Sequence, residues 1–337
     1  MKIGIVIPHA SVNYWGGVNV LGRMWKQGLN ALGHQVDLLT PWENFKYAEY
    51  DFFVIIGHGG SLREYVRLFK QFDKPKIINV PVLDPNIMSL REFKFKCRYY
   101  GSELLRYHTP YFDYYHCRND FALFLTFSEF EKRYVVEGMA VPESKVKVAP
   151  VPMRFQEKPV FNLDEKEDVC LHVSQLQRHG KNVDRLIQAA RKYGFQLKLA
   201  GTLDGEEGMR WFENLREDAD NIKYLGRLDD DALIDEYRKA KVFALPSLVE
   251  GAGMVAMEAA TYGCEICLTN LGGPKEYYEG RAVLVDPYDV DSIGKGVLEA
   301  MSNKNAQPEL SKFMYENYSV ESIMKRLETY LSEIIDK

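Results

Sequence analysis

Only five cysteines occur in 337 residues. So sparse and odd a number excludes a disulfide framework and points to a reducing compartment. No run approaches the roughly 18 consecutive apolar residues that a membrane-spanning helix needs. The opening apolar run, Ile3 to Ile7, is five residues long and stops at Pro8. A signal peptide needs a longer one, so a first β-strand is predicted there and the chain is expected to be cytoplasmic. Internal repeats and low-complexity tracts are absent as well. What remains is 46% apolar and 27% charged, which excludes disordered and collagen-like chains. At roughly 150 residues per domain, the length suggests two domains.

Neither sign of charge dominates, and the net value is −5. The distribution is uneven, however. Residues 1–155 hold 20 Lys and Arg against 15 Asp and Glu, or +5, and the remainder holds 23 against 33, or −10. The halves are electrostatically distinct, which predicts a division near residue 155 and different ligands on either side.

Short apolar runs alternate with helical periodicity throughout. Ile3–Ile7, Val36–Leu39, Phe52–Ile56, Lys76–Val80, Phe121–Thr126 and Lys145–Val148 read as buried parallel strands. After a linker at Pro152–Asn162, Val169–Val173, Gln196–Ala200, Lys223–Leu225, Val242–Pro246, Ile266–Thr269 and Ala282–Val285 continue the pattern. Two strand–helix arrays in series predict an α/β fold of two doubly wound parallel sheets, with ligands at the carboxyl ends of the strands.

The densest chemical signal is PSLVEGAGMVAMEAATYG, residues 246–263. A strand ends at Pro246, a glycine-containing loop follows, and a helix opens near Gly253. Free N–H groups at such a helix start favour a diphosphate. Glu250 in the loop and Glu258 in the helix bracket it, and neutral hydroxyls are their natural targets: a ribose for Glu258 and a transferred sugar for Glu250. Cys264 and Cys267 form a C-x2-C, but a closed zinc site needs four ligands and no second pair lies nearby in the sequence. Buried thiols are expected, and no metal.

The Glu250–Glu258 spacing, with TNLGGPKEYYEG (269–280) and VLVDPYDVDSI (283–293), closely resembles glycosyltransferase family 4. So do VSQLQRHGKNVDRLIQAA (173–190), LKLAG (197–201) and NIKYLGRLDDDALIDEYRKAKVFALPS (221–247). KFMYENYSVESIMKRLETYL (312–331) is similar to the family's closing helices. The first half matches through its strand–WGGV–helix start and LTFSEFEKRYVVEG…ESKVKVAPVP (125–152).

The resemblance implies a GT-B fold of two Rossmann-like domains facing a cleft. Residues 1–155 would bind the acceptor and 156–312 the nucleotide sugar, while 313–337 would form a C-terminal helix packing back toward the first domain. It implies a retaining, metal-independent hexosyl transfer from a nucleotide diphosphate sugar, with no cofactor. Glu258 would hold ribose hydroxyls and Glu250 the sugar. Lys181, with Arg178 and the N–H groups of Met254 and Val255 beside Gly253, would meet the diphosphate. Leu225, Gly226 and Arg227 would line the base, and Gly17 would let the first loop approach the donor. One departure is Gln175, where the family usually has Arg; Arg178 is the nearby substitute. Asp84 stands near a family histidine, and His58 and His9 follow strands.

Arg91–Arg118 has no strong family match. Its 28 residues include six basic, three acidic and nine aromatic side chains, suited to stacking on sugars or bases or to a membrane interface. An anionic acceptor (lipid, polymer or nucleic acid) is therefore expected. Three other functions compete. A nucleotide-sugar 2-epimerase of the same fold would form no glycosylated product. An NAD-dependent oxidoreductase would need the G-x-G-x-x-G that the first strand lacks. A non-catalytic nucleotide-sugar sensor would retain the same binding residues.

Overall fold

The structure is a computed structural model that describes every residue except 9–16, 41, 58–60, 84–87, 156, 303–305 and 336–337. Strand β1 (Lys2–Val6), β2 (Gln35–Leu38), β3 (Phe52–Ile56), β4 (Lys76–Val80), β5 (Leu123–Thr126) and β6 (Val146–Val148) form one sheet ordered β2-β1-β3-β4-β5-β6. Helices α1 (Gly17–Ala31), α2 (Leu62–Phe69), α3 (Leu90–Tyr99), α4 (Pro110–Cys117) and α5 (Glu129–Arg133) accompany it. The second sheet contains β7 (Glu167–Gln175), β8 (Gln196–Thr202), β9 (Ile222–Gly226), β10 (Ala240–Leu245), β11 (Glu265–Thr269) and β12 (Val283–Val285), ordered β12-β11-β10-β7-β8-β9. Its helices are α6 (Val183–Tyr193), α7 (Gly205–Arg216), α8 (Asp230–Lys239), α9 (Met254–Thr261), α10 (Val290–Ser302) and α11 (Glu309–Tyr318), and α12 (Val320–Ile335) closes the chain.

Every named strand pair is parallel. Strands covered on both faces become continuous apolar runs, and β3 and β11 are buried at every residue. Helix starts follow capping chemistry: the hydroxyls of Ser89 and Thr109 accept from the N–H groups of Glu92 and Phe112, and Asp229 does the same for Ala232. Strand β7 runs past Val173 through Ser174 and Gln175, because pairing with Gly201 and Thr202 continues the ladder. Gly201 permits this. Its φ is +141°, and a Cβ there would lie 1.7 Å from the Ser174 carbonyl oxygen.

Two compact units result: residues 1–154 with 318–337, and residues 155–317. In the first, α12 packs on α1 at Gly28, where a Cβ would lie 2.4 Å from Val320 Cγ1 and 2.5 Å from Met324 Cγ. His34 meets Glu328 at 2.9 Å, and Lys147 meets Glu333 at 3.1 Å. In the second, half-buried Lys166 donates to the carbonyls of Tyr237, Ala240 and Tyr262 at 2.8, 3.0 and 2.8 Å. It thereby closes the carboxyl ends of α8 and α9. Among the described residues, no helix is long and apolar enough to cross a membrane.

Candidate active site

In the second sheet the chain builds outward from β7 through β8 to β9, then returns to β10 on the other side of β7. The crevice beyond the carboxyl ends of β7 and β10 is therefore a topological switch point, where open α/β sheets take ligands. The loops leaving these two strands carry Arg178 to Asn182 and Ser247 to Gly253.

Backbone bonds lock the two loops together. The N–H groups of Leu248 and Val249 donate to the Gly180 carbonyl at 2.9 and 3.2 Å. Asn182, buried and in the left-handed region at φ 60°, donates through Nδ2 to the carbonyls of Pro246 (2.9 Å) and Pro287 (2.7 Å). Its Oδ1 accepts from Arg185 at 2.7 Å. One satisfied amide thus ties the turn after β7 to the ends of β10 and β12.

This clamp brings Lys181 Nζ within 2.7 Å of Glu250 Oε2, with side chains 19% and 12% exposed. The Ser247 hydroxyl donates to the same carboxylate oxygen at 3.3 Å. Next along the chain, Gly253 holds φ +68° as the N-cap of α9, a conformation that costs a side-chain-bearing residue strain. Its carbonyl already accepts from Ala256 and Met257. The half-buried Met254 and Val255 come before any N–H that can pair within the helix, so their N–H groups remain for a ligand. Arg178 is exposed. Among the described residues, no carboxylate lies within ion-pair distance of it.

Glu258, one helical turn further, is 3% exposed, and its Oε2 accepts from the Tyr237 hydroxyl at 3.1 Å. Leu225, Gly226 and Arg227 leave the end of β9, two strands from β7. At about 4.8 Å per strand that is about 10 Å from the switch point. Gly226 has φ +75°, and Arg227 is exposed. Gly17 begins α1 in the other unit. His9, His58 and Asp84 lie outside the described residues.

Near the ion pair sits a residue that no sequence motif marks. His172, on β7, is fully buried. Its Nδ1 lies 2.8 Å from the Ala244 carbonyl, an acceptor, so Nδ1 carries the proton and Nε2 accepts from the Ser174 hydroxyl at 2.7 Å. Burial pushes the imidazole pKa down to about 4, and the Lys181 charge adds to the effect. His172 is neutral at physiological pH. The C-x2-C cysteines have separate, buried roles. Cys264 donates to the carbonyls of Tyr237 and Ala240 beside the Lys166 ammonium, which opposes a second cation there. Burial raises the thiols of Cys264 and Cys267 to about 11 and about 12. No group of three or more His, Cys, Asp or Glu among the described residues is placed to hold a metal ion.

Comparison with known proteins puts this geometry in context. Residues 153–320 match the family model described as glycosyl transferases group 1. An uncharacterised glycosyltransferase of Methanocaldococcus jannaschii is 27% identical over 224 residues, 60% of this chain and 57% of that protein. The chain spans about half the length of curated relatives it matches. Sucrose-phosphate synthase from Thermosynechococcus elongatus superimposes over 100% of both chains with TM-score 0.76 at 16% identity. HepE of Anabaena, solved in complex with UDP-glucose, covers 99% of this chain and 100% of its own, with TM-score 0.71 at 13% identity. The two doubly wound sheets make the GT-B fold, and over residues 153–320 the chain is similar to the glycosyl transferases of group 1.

Proposed function

We propose that the chain is a retaining glycosyltransferase that moves a sugar from a nucleotide diphosphate sugar to an acceptor without a divalent metal. The observation that carries this is the Lys181–Glu250 pair at the amino end of α9, on the switch point of the second sheet. HepE, of the same fold, is described with UDP-glucose bound, which supports a donor of this class.

In this reading the diphosphate rests on the N–H groups of Met254 and Val255, with Lys181 and Arg178 alongside. Glu258 takes ribose hydroxyls, the turn Leu225–Arg227 faces the base, and Glu250 holds hydroxyls of the sugar. Breaking the bond from the anomeric carbon to the diphosphate leaves the electron pair on the phosphate oxygen. The helix amides are fixed by the fold where that charge grows, and Lys181, held 2.7 Å from Glu250, turns to the diphosphate once sugar hydroxyls occupy that carboxylate. Residues of the first unit are assigned to the acceptor.

The test is incubation of the purified chain with a panel of uridine, guanosine and adenosine diphosphate sugars, with and without EDTA, followed by NMR of the released sugar. Slow hydrolysis of one donor with its anomeric configuration kept, unaffected by EDTA, is expected. Inversion, loss of activity reversed by added metal, or failure of every nucleoside diphosphate to bind by calorimetry would overturn the proposal.

A further inference from the structure

Six of the fourteen exposed large hydrophobic side chains among the described residues fall between Phe95 and Tyr107. They belong to one built surface of the first unit. Helix α3 buries Phe93 and Cys97. Its opposite stripe, at positions i, i+3, i+4, i+7 and i+8, is therefore Arg91, Lys94, Phe95, Arg98 and Tyr99. Phe95 and Tyr99 are 57% and 69% exposed. Cations and aromatics thus share a single face.

The chain then forms a tight antiparallel bridge, with Ser102 and Tyr107 exchanging backbone hydrogen bonds at 2.7 and 3.0 Å. At its tip Leu104 and Leu105 are 92% and 77% exposed, followed by Arg106 at φ 51°. The tip is held in place. Arg63 grips the Glu103 carboxylate with both terminal nitrogens, at 2.7 and 3.0 Å, and also reaches Asp113 at 3.3 Å. Gly101 lies flat against Phe112.

Charge on this surface is one-sided. The segment's three carboxylates are engaged where they stand, Glu92 by Lys96 at 2.9 Å and Glu103 and Asp113 by the single charge of Arg63, which leaves one net negative charge against four cations. Among the described residues, no carboxylate lies within 4.0 Å of the side chains of Arg91, Lys94, Arg98 or Arg106.

We propose that α3 and the Ser102–Tyr107 hairpin form a docking face for an anionic lipid bilayer. Leu104 and Leu105 enter the boundary between headgroups and acyl chains. The aromatics lie at headgroup level, and Arg91, Lys94, Arg98 and Arg106 meet lipid phosphates. A nucleic acid would use the cations and rings but would gain nothing from two bare leucines on a braced tip. The proposal does not depend on the sugar transfer proposed above.

The experiment is co-sedimentation of the full chain with vesicles of phosphatidylcholine alone and of phosphatidylcholine mixed equally with phosphatidylglycerol. Binding is expected only to the anionic vesicles, and high salt should weaken it. Each cation near such a surface is worth roughly fivefold in partition, so changing Arg91, Lys94, Arg98 and Arg106 to Ser should cost on the order of several hundredfold. Changing Leu104 and Leu105 to Ser should cost at least about tenfold. Both variants alter exposed side chains, and their thermal unfolding should match the parent. No partition of the parent chain, equal partition into both vesicles, or silence of either variant would overturn the proposal. So would binding of a single-stranded oligonucleotide that the cation variant abolishes and the leucine variant leaves intact, with vesicles unbound.

Discussion

Glu250→Gln separates the two halves of the proposed site more sharply than any deletion. In the ligand-free chain Lys181 is already matched by Glu250 at 2.7 Å. A hydrogen bond between charged groups of this kind is worth about 1.5–3 kcal/mol. A diphosphate that recruits Lys181 must compete with that carboxylate and also lie near it. At about 5 Å and an effective dielectric of about 20, one phosphate charge is repelled by about 3 kcal/mol. The glutamine keeps the shape and an oxygen for the Ser247 hydroxyl while removing the charge, so the loop has no reason to collapse. Nucleoside diphosphate should therefore bind the variant at least about tenfold more tightly, the lower end of that range. Transfer should fall by about 10²–10³-fold, the usual size of losing one charged contact to a transition state. Calorimetry with the free diphosphate and turnover at saturating donor read the two effects separately. Weaker or unchanged diphosphate binding by the variant would refute the competition. Unchanged turnover would remove Glu250 from the chemistry.

Three further outcomes follow from the same geometry. Lys181→Ala should lower turnover at saturating donor more than it weakens binding of the unphosphorylated nucleoside, because the charge it meets grows in the transition state; an unaffected rate constant would end its assigned role. Glu258→Gln keeps an acceptor for Tyr237 but loses charged bonds to the ribose, so the parent should prefer ribonucleotide over its 2′,3′-dideoxy analogue by about tenfold or more and the variant should not; equal affinities in the parent would place the ribose elsewhere. His172 binds a proton near pH 6.5 when unfolded and only near pH 4 in the native chain. Stability is thus fully present above pH 6.5 and falls by about 3 kcal/mol as pH drops through that window. Urea unfolding across it should show His172→Gln with a slope flatter by one proton, and identical slopes would contradict the neutral, buried assignment.

The sheets were legible because parallel strands buried on both faces are near-continuous apolar runs, and Phe52–Ile56 or Ile266–Thr269 admit little else. Glu250, Gly253 and Glu258 were legible because a strand, a loop and a helix start occur within eighteen consecutive residues. Asn182 and His172 were not. Asn182 acquires meaning from carbonyls 64 and 105 positions away, and His172 from one 72 positions away. Nothing local distinguishes a left-handed clamp from an ordinary helix cap. In Arg91–Arg118, composition flagged nine aromatics but could not sort them. Phe93, Phe112 and Tyr114 went to the core while Phe95, Tyr99 and Tyr107 stayed outside. Which face of α3 turned inward was decided by its packing on the first unit.

The charge of the second half raises the sharpest question about the site, since a region carrying −10 should repel a diphosphate. Pairing leaves that total unchanged but offsets several of the region's carboxylates locally, away from the switch point. Glu217 pairs with Arg191, Asp291 with Lys192, Asp168 with Lys241, and Glu167 and Glu236 with Lys198. Such surface pairs are close to neutral a few ångströms off, and what remains is screened beyond about 8 Å at physiological salt. The field at the start of α9 is set by nearer groups. These are the partial charge of the helix end, Arg178 with no acidic partner among the described residues, and Lys181, paired with Glu250. Net charge by halves therefore speaks to long-range approach and not to the ligand each half holds. Glu250 is the carboxylate that offsets Lys181 there. Occupying that carboxylate with sugar hydroxyls, rather than changing the charge of the domain, is the step that would release Lys181 to the diphosphate.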